Sequence, residues 1–142
     1  MSTEENKAVV VCHHKDILEQ GHVELIDGNW APDGSVPGMN TPQQWKELVQ
    51  WWHKAAPGFK ITILDMVAEG NKVAAYWQAD VTYSVPPTPL PDEPFIPLGK
   101  PVSWRGMSLF CIRDGKIVSE QNLFGWTDML IESGAFTLQK KT

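Results

Sequence analysis

The sequence predicts an α+β fold, with N-terminal helices packed on a curved antiparallel sheet, and three observations predict it. Val102, Trp104, Gly106, Ser108, Phe110 and Ile112 fall on one side of an extended chain, and Ser103, Arg105, Met107, Leu109, Cys111 and Arg113 on the other. That period of two is the signature of a strand. Arg113-Asp114-Gly115-Lys116 then supplies the Asp-Gly signal of a tight hairpin, and Ile117 to Phe124 the returning strand. Finally, the helical signals come first and the strand signals follow, which is the order of an α+β chain. At 142 residues the sequence can bury one real core, and it reads as a single domain over residues 1–142.

Thr3 to Gln20 reads as the first helix. Thr3 can cap it, Glu4 and Glu5 suit the positive end of its dipole, and Gly21 stops it. Val9, Val10, His13 and Ile17, with His14 and Leu18 beside them, recur at i, i+3, i+4, so at least one histidine sits on or beside the apolar face. His22 to Gly28 predicts a second, short helix, and an irregular loop runs on through Asn40. Thr41 caps a third helix, with Pro42 at its first position and Gln44 three residues after the cap. Trp45, Leu48, Val49, Trp52 and Ala56 keep helical spacing until Pro57-Gly58 ends it.

Phe59 to Ala68 is the next strand, Glu69-Gly70-Asn71 a turn, and Lys72 to Val85 a longer strand through Trp77. Seven of the eleven prolines lie from Pro86 to Pro101, which bars that segment from the middle of a sheet because proline lacks a ladder donor. It reads as a semi-rigid excursion, a lid or an arm that clasps a partner. A short amphipathic piece after the last strand closes with Gly134.

Charge and motifs exclude several functions. A net charge of −5 argues against electrostatic capture of nucleic acid or of an anionic membrane. No apolar run approaches the roughly 20 residues that cross a bilayer, and the acidic opening MSTEENKAVVV is not a secretory signal. Cys12 and Cys111 are far apart and read as reduced thiols, which places the protein in the cytoplasm. Phosphate loops, Gly-x-Ser-x-Gly and Cys-x-x-Cys are absent, so nucleotide hydrolysis, serine-hydrolase and thiol-redox chemistry have no support. His13, His14, His22 and His53 offer no i, i+4 pair with a third ligand, so no metal site is expected.

The proton-handling candidates are few. His13-His14 lies by an apolar helical face, where an imidazole can be a general acid or base, or simply a packed side chain. Tyr83, ending the strand that bears Trp77, can donate to a carbonyl or enolate, or plug a pocket mouth. Asp65 and Asp80 are strand carboxylates, and a regular strand cannot aim both Asp80 and Tyr83 inward. Glu120, Asn122 and Phe124 share one parity. If that face lines a cavity, Glu120 is a base and Asn122 an orienting or oxyanion-stabilising amide; if it faces out, Gln121 is the lining residue. Arg105 can meet a substrate carboxylate or a cross-strand ion pair on a dimer surface. Trp30, Trp45, Trp52, Trp77, Trp104 and Trp126, with Phe110, divide between core and pocket wall.

These elements resemble the SnoaL-like polyketide cyclases of the nuclear-transport-factor-2-like group. The resemblance runs through Asn6-Lys7-Ala8, Gly21, Trp30-Ala31-Pro32-Asp33, Ala55 to Phe59 and Leu64 to Ala74. Gly99 to Val102, Arg105 to Phe110 and Ile112 to Ile117 match best. It implies a cone-shaped α+β barrel, a homodimer formed through the exposed sheet face, and a cofactor-independent cyclase or isomerase. The substrate would be a hydrophobic, oxygenated polyketide or meroterpenoid. Residues and resemblance together make His14, Tyr83, Glu120 and Asn122 the candidate catalytic residues, and Trp30, Trp52, Trp77, Trp104, Phe110 and Trp126 the candidate substrate walls. The chain departs from the family at three places. A strand-end histidine falls on Tyr83, last-strand aspartates on Asn122 and Gly125, and a first-helix tyrosine on His14. Those departures leave a non-catalytic binding or dimerisation module, or a hydratase or dehydratase, as alternatives.

Overall fold

The alternating runs become one five-stranded sheet. The computed structural model of the chain describes residues 2–35, 41–85, 98–132, 134 and 139–141. Strands β1 (Trp30–Ser35), β2 (Lys60–Glu69), β3 (Lys72–Thr82), β4 (Pro101–Arg113) and β5 (Lys116–Phe124) lie in the order β1-β5-β4-β3-β2. The pairs β2–β3, β3–β4 and β4–β5 are antiparallel, and β1 joins β5 in parallel at one edge. Helices α1 (Thr3–Val11), α2 (Ile26–Asn29) and α3 (Pro42–Ala55) precede the long strands, and α4 (Trp126–Glu132) follows them. The architecture is the expected α+β one, with a sheet that is open rather than closed into a barrel.

Alternation decides which face the helices cover. Val73, Ala75, Trp77, Ala79 and Val81 of β3 and Val102, Trp104, Ser108, Phe110 and Ile112 of β4 are buried. They meet Val10, Ile17, Leu18, Ile26, Trp45 and Val49 from the helical layer in one core. Each large apolar side chain so buried contributes roughly 1.5–3 kcal/mol against the entropy of ordering the chain. The other face leaves Val67, Met107, Leu109 and Leu123 exposed.

Two bulges interrupt the ladders. Ile63 pairs with Trp77 but Asp65 with Tyr76, so Leu64 is an extra residue. Cys111 pairs with Ser119 but Ile112 with Ile117, so Val118 is another. An extra residue reverses the parity of everything beyond it. Ile117 and Glu120, three apart, are therefore both buried on the helix-covered face. In a regular strand with Ile117 inside, Glu120 would point to solvent.

Several expectations are corrected. The first helix is capped by Ser2, not Thr3: Ser2 Oγ accepts the Glu5 N–H and Glu5 accepts the Ser2 N–H, a full capping box. It is α-helical only to Val11 and continues as a π-helix over Cys12–Glu19, ending before Gly21 at φ 77°. The second helix is a 3₁₀ turn (Val23–Leu25) and one turn of α-helix. The segment expected as a loop contains β1, because the edge of β5 offers free backbone partners to Trp30 and Ser35. β3 stops at Thr82, since the Ser84 N–H turns away to the Ala55 carbonyl at 2.7 Å. The loop segment 36–40 and most of the proline-rich excursion lie outside the described residues. Among those described, no helix is long and apolar enough to cross a membrane.

Candidate functional site

The π-helical stretch takes both histidines inside. His13 and His14 are 0% and 2% exposed, so both histidines, and not just one, sit on the buried side. A π-turn holds more residues than an α-turn, and such segments recur at functional sites. The His14 Nδ1 lies 3.0 Å from the Val10 carbonyl oxygen, which can only accept, so Nδ1 carries the proton and Nε2 keeps a lone pair. Burial, then the neighbouring His13, lowers the His14 pKa to about 4. His14 is thus a neutral acceptor near pH 7.

His13 is held on three sides. The Trp30 indole N–H donates to its Nδ1 at 3.2 Å, Trp45 stacks on its ring at 5.4 Å, and Phe110 meets it edge-on. Its Nε2 lies 3.4 Å from Glu120 Oε2, a close charge contact whose angle falls short of an aligned hydrogen bond. Among the described residues, the buried Trp45 indole N–H meets no hydrogen-bond acceptor.

Glu120 lies opposite Phe110, and Asn122 opposite Ser108. The Trp77 indole N–H donates to Ser108 Oγ at 2.9 Å, and the Ser108 hydroxyl donates to Asn122 Oδ1. With its oxygen so occupied, the Asn122 amide has its NH₂ donors left for Glu120. Burial would raise the Glu120 pKa, but His13, then His14 and the Asn122 amide, outweigh it and hold the carboxyl below its ordinary value. The result is a buried carboxylate, a neutral imidazole lone pair and few donors, walled by Trp30, Trp45, Trp77 and Phe110. Such a site is suited to accepting a proton.

The structure groups only part of the sequence-derived set. His14, Glu120 and Asn122 come together, with Trp30, Trp77 and Phe110 around them. Tyr83 is ten residues along β3 from Val73, whose row through Phe110 contains Glu120. At about 3.3 Å per residue that is on the order of 30 Å of strand. Tyr83 instead stacks on Trp104 beside the Trp52 indole, and burial raises its phenol pKa well above the ordinary value. Trp52 stacks on Phe59. The Trp126 side chain lies outside the described residues.

Asp80 accepts from Ser103 and Gln78 on the uncovered face, and Asp65 is exposed. Arg105, on that same face, donates to Gln78 and to the Tyr76 hydroxyl in place of a carboxylate. A cleft of about 660 Å³ lies there too, lined by Tyr76, Arg105, Met107, Leu123 and Asp128 among others. Among the described residues no three His, Cys, Asp or Glu side chains are grouped as metal ligands.

Sequence reasoning did not assign His13 as the partner of Glu120, nor Trp45 and Ser108 to the site. Ser108 carried a usable signal, as a lone hydroxyl among inward-facing apolar residues of β4. His13 carried none that separated it from His14.

Comparison with known proteins agrees with this architecture. The model of the SnoaL-like domain matches residues 12–120. TsrD from Streptomyces laurentii superposes with a TM-score of 0.81 at 16% identity, covering 96% of this chain and 99% of that one. IdmH from Streptomyces antibioticus, a candidate polyketide cyclase, gives 0.74 at 20% identity over 91% and 98%. AclR from Streptomyces galilaeus, a candidate hydroxylase, gives 0.75 at 20% identity over 99% and 91%. At such identities the structural likeness speaks for the fold alone. No curated protein sequence matches this chain closely enough to count as a relative.

Proposed function

We infer that this chain, which belongs to the SnoaL-like domain family, is a cyclase or isomerase that moves a proton on a hydrophobic, oxygenated natural-product intermediate. One observation carries the reading: an ionised carboxylate, Glu120, is enclosed by aromatic rings beside the neutral lone pair of His14. Burying a charge costs several kcal/mol, and an apolar side chain would fill the same space at less cost.

In this reading Glu120 removes a proton from carbon next to a carbonyl, and the C–H electron pair moves to the carbonyl oxygen as an enolate. The Asn122 amide, which already reaches the Glu120 carboxylate, is the donor for that oxygen. In a cyclisation the enolate carbon bonds to a second carbonyl carbon, whose oxygen then takes the proton back from Glu120. In an isomerisation the proton returns at another carbon. Atoms and electrons balance without an oxidant or reductant, so the chemistry needs no cofactor. His14 accepts from a substrate hydroxyl and helps fix the reactive conformation.

The test follows deuterium exchange at the acidic carbon of β-dicarbonyl polyketide and meroterpenoid substrates by NMR. Glu120→Gln should slow exchange and turnover by about 10²- to 10⁴-fold, the usual scale of one general base. Wild-type protein that exchanges none of these substrates overturns the reading.

A second reading, a non-catalytic binder, is favoured by the near-complete burial of His13, His14 and Glu120. A binder would show affinity without any rate for Glu120→Gln to remove. The exposed strip of Val67, Met107, Leu109 and Leu123 supports a further part of the proposal, a homodimer through the uncovered sheet face.

A further inference from the structure

We propose that Ser108 is a positioning residue that holds the Asn122 carboxamide with its NH₂ toward Glu120, so that the site offers a guest an N–H donor beside the carboxylate. The use of that donor in catalysis rests on the function proposed above; the orientation of the amide does not.

Donors and acceptors run in one direction along these side chains. The Trp77 indole N–H can only donate, and Ser108 Oγ accepts it at 2.9 Å. The Ser108 hydroxyl has one proton, and that proton goes to Asn122 Oδ1. The carboxamide oxygen is thereby tied down on one side. On the other, the amide reaches Glu120, whose carboxylate is an acceptor. A carboxamide turned by 180° would set its oxygen against that carboxylate and leave the Ser108 proton without its acceptor. Both ends therefore select the same orientation.

The sheet is built for this path. Ser108 lies between Ala75 on β3 and Asn122 on β5, so it bridges the two neighbouring strands. Trp77 pairs with Gly106, and its ring crosses that glycine to reach Ser108: a Cβ at Gly106 would sit 2.5 Å from the ring. Ser108 is itself buried among the apolar residues of β4, where a hydroxyl costs free energy unless it is hydrogen-bonded. Here its proton and a lone pair are both used. An apolar pair at 77 and 108 would leave no polar group to satisfy, so packing alone does not call for the tryptophan and the serine.

Asn122 is where this path meets a guest. It is half-buried, while Glu120 is buried. An amide NH₂ has two protons, and one N–H toward Glu120 leaves the other to donate. The complementary guest carries an acceptor oxygen, with an acidic C–H or O–H beside it turned to Glu120. A ketone with an α-hydrogen, or a β-hydroxy ketone, has that pattern. An amine or ammonium at the Asn122 position would set donor against donor.

Two measurements test the orientation and its use. In ¹⁵N-asparagine-labelled wild-type protein, the Asn122 side-chain amide protons should show stronger nuclear Overhauser contacts to the Glu120 Hγ protons than to the Ser108 Hβ protons. The reverse pattern overturns the proposal, and no variant has to fold. In the deuterium-exchange assay, Ser108→Ala should lower kcat about 10- to 100-fold with KM within about threefold, short of the roughly 10²- to 10³-fold that losing a whole oxyanion donor costs. In an Asn122→Ala background the same change should cost less than about twofold, because a residue acting through Asn122 then has nothing to position. Equal losses in the two backgrounds, or a wild-type rate for Ser108→Ala, also overturn the proposal. A wild type that exchanges no substrate sinks the catalytic reading alone, and the Overhauser contacts still decide the orientation.

Discussion

Gly106 tests how tightly the Trp77–Ser108–Asn122 hydrogen bonds are packed. A Cβ there would sit 2.5 Å from Trp77 Cζ2, 2.7 Å from Cη2 and 2.9 Å from the Leu123 carbonyl oxygen. Carbon contacts are favourable only near 3.5–4.0 Å, so the methyl of Gly106→Ala forces the ring away by about 1 Å. The β5 backbone on the other side leaves the methyl nowhere to retreat. Overpacking of this kind costs about 1–3 kcal/mol. Displacing the indole also loses the 2.9 Å bond to Ser108, worth about 0.5–1.5 kcal/mol. The sum is about 1.5–4.5 kcal/mol. With an unfolding entropy of about 2.1 cal/mol/K per residue, this chain loses about 5–15 °C in Tm. Thermal and urea unfolding of Gly106→Ala, Trp77→Phe and the double variant form the assay. Phe lacks the ring atoms that clash, so the double variant should be more stable than the sum of the singles predicts, by about 1 kcal/mol or more. A Gly106→Ala protein within about 0.5 kcal/mol of wild type, or strict additivity, would refute the contact geometry.

Two more outcomes follow from the site and the uncovered face. The folded His14 pKa of about 4 lies below the ordinary 6.5, so as pH falls through that window the unfolded chain binds a proton the folded one refuses. Stability is full above about pH 6.5 and falls by about 2 kcal/mol at pH 5, at about 1.36 kcal/mol per pH unit. Urea titrations at pH 7.5 and 5 check this, and His14→Gln should flatten the slope; an equal slope in both proteins rejects His14 as its source. For the proposed dimer, light scattering should give twice the 15.9 kDa chain mass, reduced to one chain by Leu123→Glu. A monomeric wild type at micromolar concentration would discard the dimer.

The strands were legible because alternation is a local property. Val102 to Ile112 alternate without interruption, and their inward set is the set that is buried. The third helix was equally plain, since Thr41 and Pro42 fix its start chemically. What stayed hidden depends on partners far away in sequence. β1 exists because β5 offers it an edge, and nothing in Trp30 to Ser35 announces that. The π-helix differs from an α-helix by one step of hydrogen bonding, a choice that packing against the sheet decides. The fate of Glu120 was open because the parity of the last strand depends on Val118, and a bulge leaves no compositional mark there. Tyr83 was placed at the right end of the right strand, but strand length separates it from the other candidates.

Those hidden features act at one place. The bulge at Val118 turns Glu120 inward, the π-helical stretch brings His13 and His14 inside to meet it, and the parallel edge strand adds Trp30. Each departs from the regular alternative: an unbroken hairpin, a continuous α-helix and a plain loop. Regular versions would still bury Val73, Phe110 and Val49, so the core does not demand the departures. Irregular elements are tolerated where side chains need an aim that regular ones cannot give. The uninterrupted stretch of β3 and β4 from Ala79 to Thr82 and Val102 to Trp104, with Tyr83 just beyond it, by contrast carries well-packed aromatics and no buried charge. The bulge at Val118, the π-helical stretch and the parallel edge strand thus meet around the carboxylate–imidazole pair, and that is the physical ground for seeking its chemistry there rather than at Tyr83.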